Sequence, residues 1–332
     1  MPDSQPRNLR VVREISRPDI LLSVARVPNS DRLLVGTSSG KVVELAAAKG
    51  GPAPQDLANH GRYVTSVRLA GEMAVSGGYD GRLVWWDLRE RRVVRSVAAH
   101  GRWIRQIAVS PDGRKLASVA DDMVCRLWDA ATGALLRELR GHAERTPQHF
   151  VSMLYTCAFS ADGRRLATGD RVGHVVIWDV ASGQQLSSVE APTLYTWDGV
   201  QRIRSIGGVR AVAFSPDGAH LAVGGVGQIN NVDSLAGPSR VEVFDWERRQ
   251  RVLAFTGANG MVTRLMYQPQ GRWLCAIGGG GSGLVMFYDT AAQAMIHQTN
   301  VPTFVHDATF NKDCTSLIAV GHNKMVVMEL RA

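Results

Sequence analysis

The chain has 332 residues, 45% of them hydrophobic and 20% charged, which is ordinary for a globular fold. No run of eighteen apolar residues occurs, so no membrane-spanning helix is predicted, and the polar first ten residues carry no secretory leader. The formal charge of +8 admits nucleic acid or an anionic surface as a partner, but the arginines are scattered. Groups such as Arg89, Arg91, Arg92 and Arg95, or Arg248, Arg249 and Arg251, fall where outer strands are expected, and there they keep exposed edges soluble.

Along the chain, short apolar runs alternate with turn residues and leave no room for helices. A first strand is predicted at 9–15. A degenerate unit over about 20–58 follows, ending its third run at Leu45-Ala46. The next units cover about 60–98, 100–140 and 142–190, and their third runs end in Trp86-Asp87, Trp128-Asp129 and Trp178-Asp179. The clearest of them opens at His100. It has runs at 104–109 and 115–119, a third between Asp121-Asp122 and Trp128-Asp129, and a fourth at 135–139, with Ser110-Pro111-Asp112-Gly113 between the first two. In later units, at about 208–256, 260–299 and 303–331, the third runs end in Phe244-Asp245, Tyr288-Asp289 and Met328-Glu329. Between the Asp-equivalent positions the spacings are 41, 42, 50, 66, 44 and 40 residues, and the long fourth interval reads as an insertion.

Asn59-His60, His100-Gly101 or Gly141-His142, followed by Trp-Asp at a period near forty, resembles the WD40 family over nearly the whole chain. The resemblance implies an all-β, seven-bladed β-propeller in a single domain, with four antiparallel strands per blade. The last unit has three strands, so the ring closes when strand 9–15 supplies the outermost strand of the last blade. The resemblance also implies a buried network of four side chains per blade: His60, Ser76, Asp80 and Trp86, and then His100, Ser118, Asp122 and Trp128. In the fourth blade His142, Thr168 and Trp178 match, but Val172 stands where the Asp is expected.

On that plan the short turns share one end of the ring and three insertions share the other: 142–154, 191–208 and 225–239. Ordered loops on a rigid scaffold are the usual place for recognition. The insertions contain Glu144, Arg145, His149, Phe150, Tyr155, Tyr195, Trp197, Asp198, Arg202, Arg204, Asn230, Asn231 and Asp233. Tyr, Trp and Arg suit an interface, although the same aromatics could serve to pin their own loops to the rim. The starts of the innermost strands add Arg62, Tyr63, Arg102, Trp103, Arg210, Met261 and Phe304 around the axis. An acidic or phosphorylated peptide over Arg62, Arg102 and Arg210 follows from guanidinium chemistry.

Motifs of catalysis are few. Three of the nine histidines belong to the implied networks, and His142, Glu144 and His149 have no compelling metal-ligand spacing. The run Gly278 to Gly283 is no phosphate-binding loop, because no Lys-Ser or Lys-Thr follows it. The four cysteines, Cys125, Cys157, Cys275 and Cys314, are far apart and read as buried free thiols in a reducing, cytoplasmic setting. The expectation is therefore a non-catalytic scaffold that binds a protein or peptide and needs no cofactor. The alternative is a propeller enzyme, hydrolase or isomerase-like, with a small-molecule or metal site near the central channel.

Overall fold

β-Branched and aliphatic runs of five to seven residues, punctuated by Gly, Pro and Asp, fold here as strands joined in chain order. The computed structural model describes residues 5–230, 232–233 and 237–331. Five sheets have four antiparallel strands each, beginning at Val64–Ala70, Ile104–Val109, Leu154–Phe159, Ala211–Phe214 and Met261–Tyr267. The turns obey simple chemistry. In the first hairpin of the 104–139 sheet, Ser110 Oγ donates to Asp112 at 2.6 Å and the Gly113 amide returns to the Ser110 carbonyl. Gly113 takes φ +72°, which a residue with a Cβ adopts only with strain.

The sixth large sheet departs from expectation. It has six strands, because two long ones, Leu9–Arg26 and Ser316–Leu330, run on through bends instead of ending. Six sheets of four or more strands therefore stand where seven separate ones are expected. Leu9 lies opposite Leu330 and Ile15 opposite Met325; beyond a register slip between Ser16 and Ile20 the same strand pairs with Arg32–Thr37. Pro18 sits in the slip and has no amide hydrogen to give the ladder. Both strands bend there together, and the Asn323 side chain donates to the Pro18 carbonyl. The two parts of the chain are also tied by the Gln5 amide to the Arg331 carbonyl, 3.0 Å, and by Lys324 to Glu14, 2.9 Å.

Burial follows position within a sheet. Strand Leu274–Gly279 is buried throughout, whereas the outer strands Arg92–Ala98 and Leu135–Leu139 are largely exposed. Between successive sheets lie apolar clusters. One joins Val75, Leu83 and Trp85 to Ile104, Ile107 and Leu116; another joins Ile277 and Phe287 to Leu317 and Met328, which closes the circle. A cluster of Leu21, Val35, Ile318 and Met325 fills the fold of the six-stranded sheet itself. Each buried Val or Leu contributes about 1.5–3 kcal/mol. The four cysteines are buried and unpaired with one another.

Polar networks brace the sheets from 60 to 190. Trp86 Nε1 donates to Ser76 at 2.8 Å, and His60 spans Ser76 at 2.7 Å and Asp80 at 2.9 Å. Trp128 Nε1 donates to Ser118, whose hydroxyl meets His100 Nε2 at 2.7 Å, and His100 Nδ1 lies 3.0 Å from Asp122. A neutral ring that donates from Nδ1 to the carboxylate must accept the Ser118 hydroxyl at Nε2, so the relay runs one way. In the next sheet the carboxylate is Asp170, not a residue at the Val172 position. It sits 3.0 Å from His142 Nδ1, and His142 and Trp178 share Thr168. Asp170 is the last residue of its strand, two positions before the place that Asp80 and Asp122 take in the turn, and it also accepts the amides of Val172 and His174.

Two outcomes test this framework. Trp128, 3% exposed, packs against the neighbouring sheet and holds Ser118; Trp128→Ala is expected to cost about 3–5 kcal/mol in urea denaturation. Asp122 is held down to about 2 from 3.8: burial works against its ionised form, but His100 and Arg126 outweigh it. Its stabilising contribution is thus complete above about 3.8 and is lost as pH falls towards 2. Wild type should therefore be more stable than Asp122→Asn at pH 7, and the difference should shrink as a denaturation series moves from pH 4 to 2. Burial also lowers the pKa of His100, which costs both proteins stability below 6.5.

Candidate functional site

Each sheet is antiparallel in chain order, so its second-to-third turn and the connection to the next sheet lie at the same end. That end carries the three insertions. The first strands, standing innermost, begin there, and residues near their starts or, for Leu22, beyond the slip in the long first strand gather around the axis: Leu22, Thr65, Arg105, Tyr155, Arg210, Thr263 and His306. These, with Ser66, Arg68, Gln106, Met261 and Asp307, line a cavity of about 190 Å³.

Aromatic rings and guanidinium groups alternate over the mouth of the cavity. Tyr63 stacks on Tyr79 at 5.2 Å, and Tyr79 on Trp103 at 4.1 Å with the planes 7° apart. Arg105 lies 5.3 Å from both the Tyr79 and Trp103 rings, bonds the Tyr79 hydroxyl, and forms a bidentate pair with Asp121 at 2.7 Å. On its other side Tyr155 receives the Arg210 guanidinium at 3.7 Å from the ring centre. Tyr63 and Trp103 each remain 43% exposed, so the row is open at its outer end. Such stacking pre-organises large contact surfaces at small cost in side-chain entropy.

Deeper in, Asp307 is a junction. Its carboxylate pairs with Arg68 at 2.9 Å and with Arg264 at 3.5 Å, and it accepts from Ser23 Oγ and the Val24 amide. Ser23 in turn accepts the Val67 amide. One carboxylate thus ties the last inner strand to the first and to the 64–98 sheet. Both axial carboxylates, Asp307 and Asp121, are engaged by arginine.

The insertions meet one another. The segment 191–208, expected as a loop, instead forms a turn of 3-10 helix, Pro192–Leu194, and a two-stranded hairpin, Tyr195–Asp198 with Arg204–Gly207. Tyr195 donates to Gln148 at 2.7 Å, and Trp197 packs on Phe150 at 5.3 Å, both across to the 142–154 loop, which a bridge between Arg145 and Val151 closes. On the other flank Gln228 Nε2 donates to the Tyr195 carbonyl, Arg204 to the Val232 carbonyl, and Arg202 and Arg204 pair with Asp233 at 2.6 and 3.0 Å. The half-buried Tyr195 and Trp197 accordingly brace the hairpin. The hairpin tip shows Val200, 91% exposed, and Ile203, while Phe150 and Val151 are exposed on the adjoining loop.

The expected residues fall into three places. Arg62, Tyr63, Arg102 and Trp103 are exposed at the mouth, and Tyr155 and Arg210 line the cavity behind them. Arg62 and Arg102 do not line that cavity, so the three arginines expected to act together are separated in depth. Arg145, which donates to the His149 carbonyl, and Phe150 and Asn230 are exposed on the insertions; Asn231 lies outside the described residues. Tyr79, Arg105, Asp121, Arg68 and Asp307 were not anticipated. A signal was available for Arg105, in the shared second position of the inner strands, and for Tyr79 and Asp121, which each precede a network Asp.

Sheets arranged in a closed ring about an axial cavity, with inner strands buried and outer strands exposed, define a β-propeller. Three segments of it, residues 91–129, 133–179 and 201–228, match the family described as WD domain, G-beta repeat. The chain is 30% identical over 170 residues, 51% of its length, to apoptotic protease-activating factor 1 of Rattus norvegicus, of which it spans 13%. It is 28% identical over 190 residues to nuclear distribution protein PAC1 of Arthroderma otae, spanning 38% of that protein, and 26% identical over 191 residues to guanine nucleotide-binding protein subunit beta of Oryza sativa, spanning 42%. The chain thus spans less than half the length of these curated relatives. Among the described residues no helix is long and apolar enough to cross a membrane.

The Asp307 junction gives a direct test. Removing its buried carboxylate takes the counter-ion from the part-buried Arg68 and Arg264 and leaves the Val24 amide without its acceptor, so Asp307→Ala is expected to cost about 1–3 kcal/mol in urea denaturation.

Proposed function

We propose that the chain is a non-catalytic binding platform that takes a protein or peptide on the end of the ring carrying the 142–154, 191–208 and 225–239 segments. The observation that carries this reading is the open row Tyr63–Tyr79–Trp103 over Arg105. Rigid aromatics backed by a fixed guanidinium form the kind of centre on which interfaces concentrate their energy. Phe150, Val200 and Ile203 extend the apolar surface outward, and Arg62, Arg102 and Arg145 make its rim basic. That rim favours an acidic or phosphorylated partner over a neutral one, and Arg202, Arg204, His149, Asn230 and Asn231 are its further contacts. One relative is by name a subunit of a larger protein, which agrees with a role exercised through partners. Buried, unpaired thiols suit a reducing compartment such as the cytoplasm.

The platform is stiff in this reading because the six-stranded sheet serves as two packing layers. One apolar cluster lies inside that sheet, between its two halves, as the others lie between successive sheets.

A displayed peptide library with acidic, phosphorylated and neutral arms tests the proposal. The acidic or phosphorylated arm is expected to be enriched on wild type. The double variant Tyr63→Ala, Trp103→Ala should weaken the selected peptides by roughly tenfold or more, as loss of hot-spot aromatics does, while circular dichroism stays unchanged. Equal recovery from all arms, or binding that survives the double variant, would overturn the reading.

A further inference from the structure

The charges around the axial cavity do not balance. Arg68, Arg105, Arg210 and Arg264 bring four positive charges; Asp121 and Asp307 bring two negative ones, so the excess is two. Arg105 is satisfied by Asp121, and Arg68 and Arg264 share Asp307. Arg210 is different: among the described residues no carboxylate pairs with it. One Nη donates to the Gly207 carbonyl, the plane lies on Tyr155, and its buried Nε has no hydrogen-bond partner. Arg171 adds further positive charge beside it, since among the described residues its guanidinium donates to the Val151 and Ser205 carbonyls and to no carboxylate. Burial lowers the pKa of Arg210, but a guanidinium stays protonated in such a site. A desolvated cation without a counter-ion is costly.

A second donor is free in the same cavity. His306 lines it, and its Nε2, buried behind the cavity wall, has no hydrogen-bond partner among the described residues. Burial and the neighbouring His322 push that ring down to about 4, so it is neutral at pH 7 and can donate from Nε2. The volume of about 190 Å³ far exceeds the roughly 10–15 Å³ that admits one water. Thr65 and Thr263 offer hydroxyls, although both already donate to backbone carbonyls and so face the cavity as acceptors.

We propose that the axial cavity binds a phosphate group, with Arg210 as its principal cation and His306 Nε2 as a second donor. A dianion would offset most of this positive excess, and a planar guanidinium matches two of its oxygens. The group is either free phosphate or the end of a phosphorylated side chain, since both present the same oxygens.

The test uses the full chain in phosphate-free buffer. Inorganic phosphate is titrated against chloride at matched ionic strength, and the melting temperature and the heat of binding are followed; O-phospho-L-serine forms a second arm. A ligand that binds the folded state raises the melting temperature with its concentration. Phosphate is expected to do so where chloride does not. Arg210→Met should weaken the apparent affinity by roughly tenfold or more, while Arg248→Met, an exposed outer-rim change, should leave it as in wild type. Arg210→Lys keeps the charge but not the fork and should respond more weakly than wild type, which preserves the test if the methionine variant does not fold. Phosphoserine binding at least as well as phosphate assigns the site to a side chain, and phosphate binding alone assigns it to the free ion. Equal melting in phosphate and chloride, or an undiminished response in both Arg210 variants, would overturn the proposal. Peptide capture plays no part in this readout, so the cavity and the platform stand or fall separately.

Discussion

The ladder between Leu9–Arg26 and Ser316–Leu330 is the constraint on which the rest of the molecule rests. A row of sheets stacked face to face leaves one apolar face uncovered at each end. Joining the first and last strands removes both at once, and it lets Leu21 and Val35 pack on Ile318 and Met325. Asp307 reinforces the joint from the inside, because a single carboxylate holds residues from the last strand, the first strand and the 64–98 sheet. Without closure there is no axis, and without an axis the second residues of the inner strands have no common point to face.

Function follows from that geometry more than from any single motif. The inner strands start at one end of the ring, so whatever the sequence places at or just before their starts is gathered there: Arg105, Tyr155, Arg210 and His306 from four different sheets. The turns at the same end then add Tyr79 and Asp121, and the insertions add an outer wall. The hairpin at 195–207 is the middle of that wall, bonded on one side to Gln148 and on the other to Gln228. A rigid ring thus presents a rigid site, although most of its residues lie in turns or at strand ends.

What could be read in the sequence was what is local. The His–Ser–Trp–Asp networks recur at short range, and Trp86, Trp128 and Trp178 announce them. Asp170 was missed because its position slid by two residues while its chemistry stayed the same; a carboxylate reaching His142 needs only the right direction, not a fixed spacing. The continuity of the six-stranded sheet was also hidden, since Pro18 and the Gly321-His322-Asn323 stretch look like breaks. They prove to be bends, taken in step by two paired strands. The hairpin within 191–208 has weak β patterning and depends on contacts with the flanking insertions. Pairs such as Arg105–Asp121 and Arg68–Asp307 join residues whose proximity is set by the curvature of the ring, and one sequence alone does not encode that curvature in any visible period.

The closing ladder also orders events in time. Within each sheet, neighbouring strands are joined by short turns and can pair early, at little entropic cost. Glu14 and Lys324 meet across a separation of 310 residues, so their ladder can form only when nearly every wedge is in place. A newly made chain therefore passes through an open arc with bare backbone along 324–330. In that interval a neighbouring molecule's 9–16 segment offers the same ladder as its own. Dilution favours the ring and crowding favours exchange between chains, which makes the yield of monomer a matter of concentration during synthesis as well as of final stability.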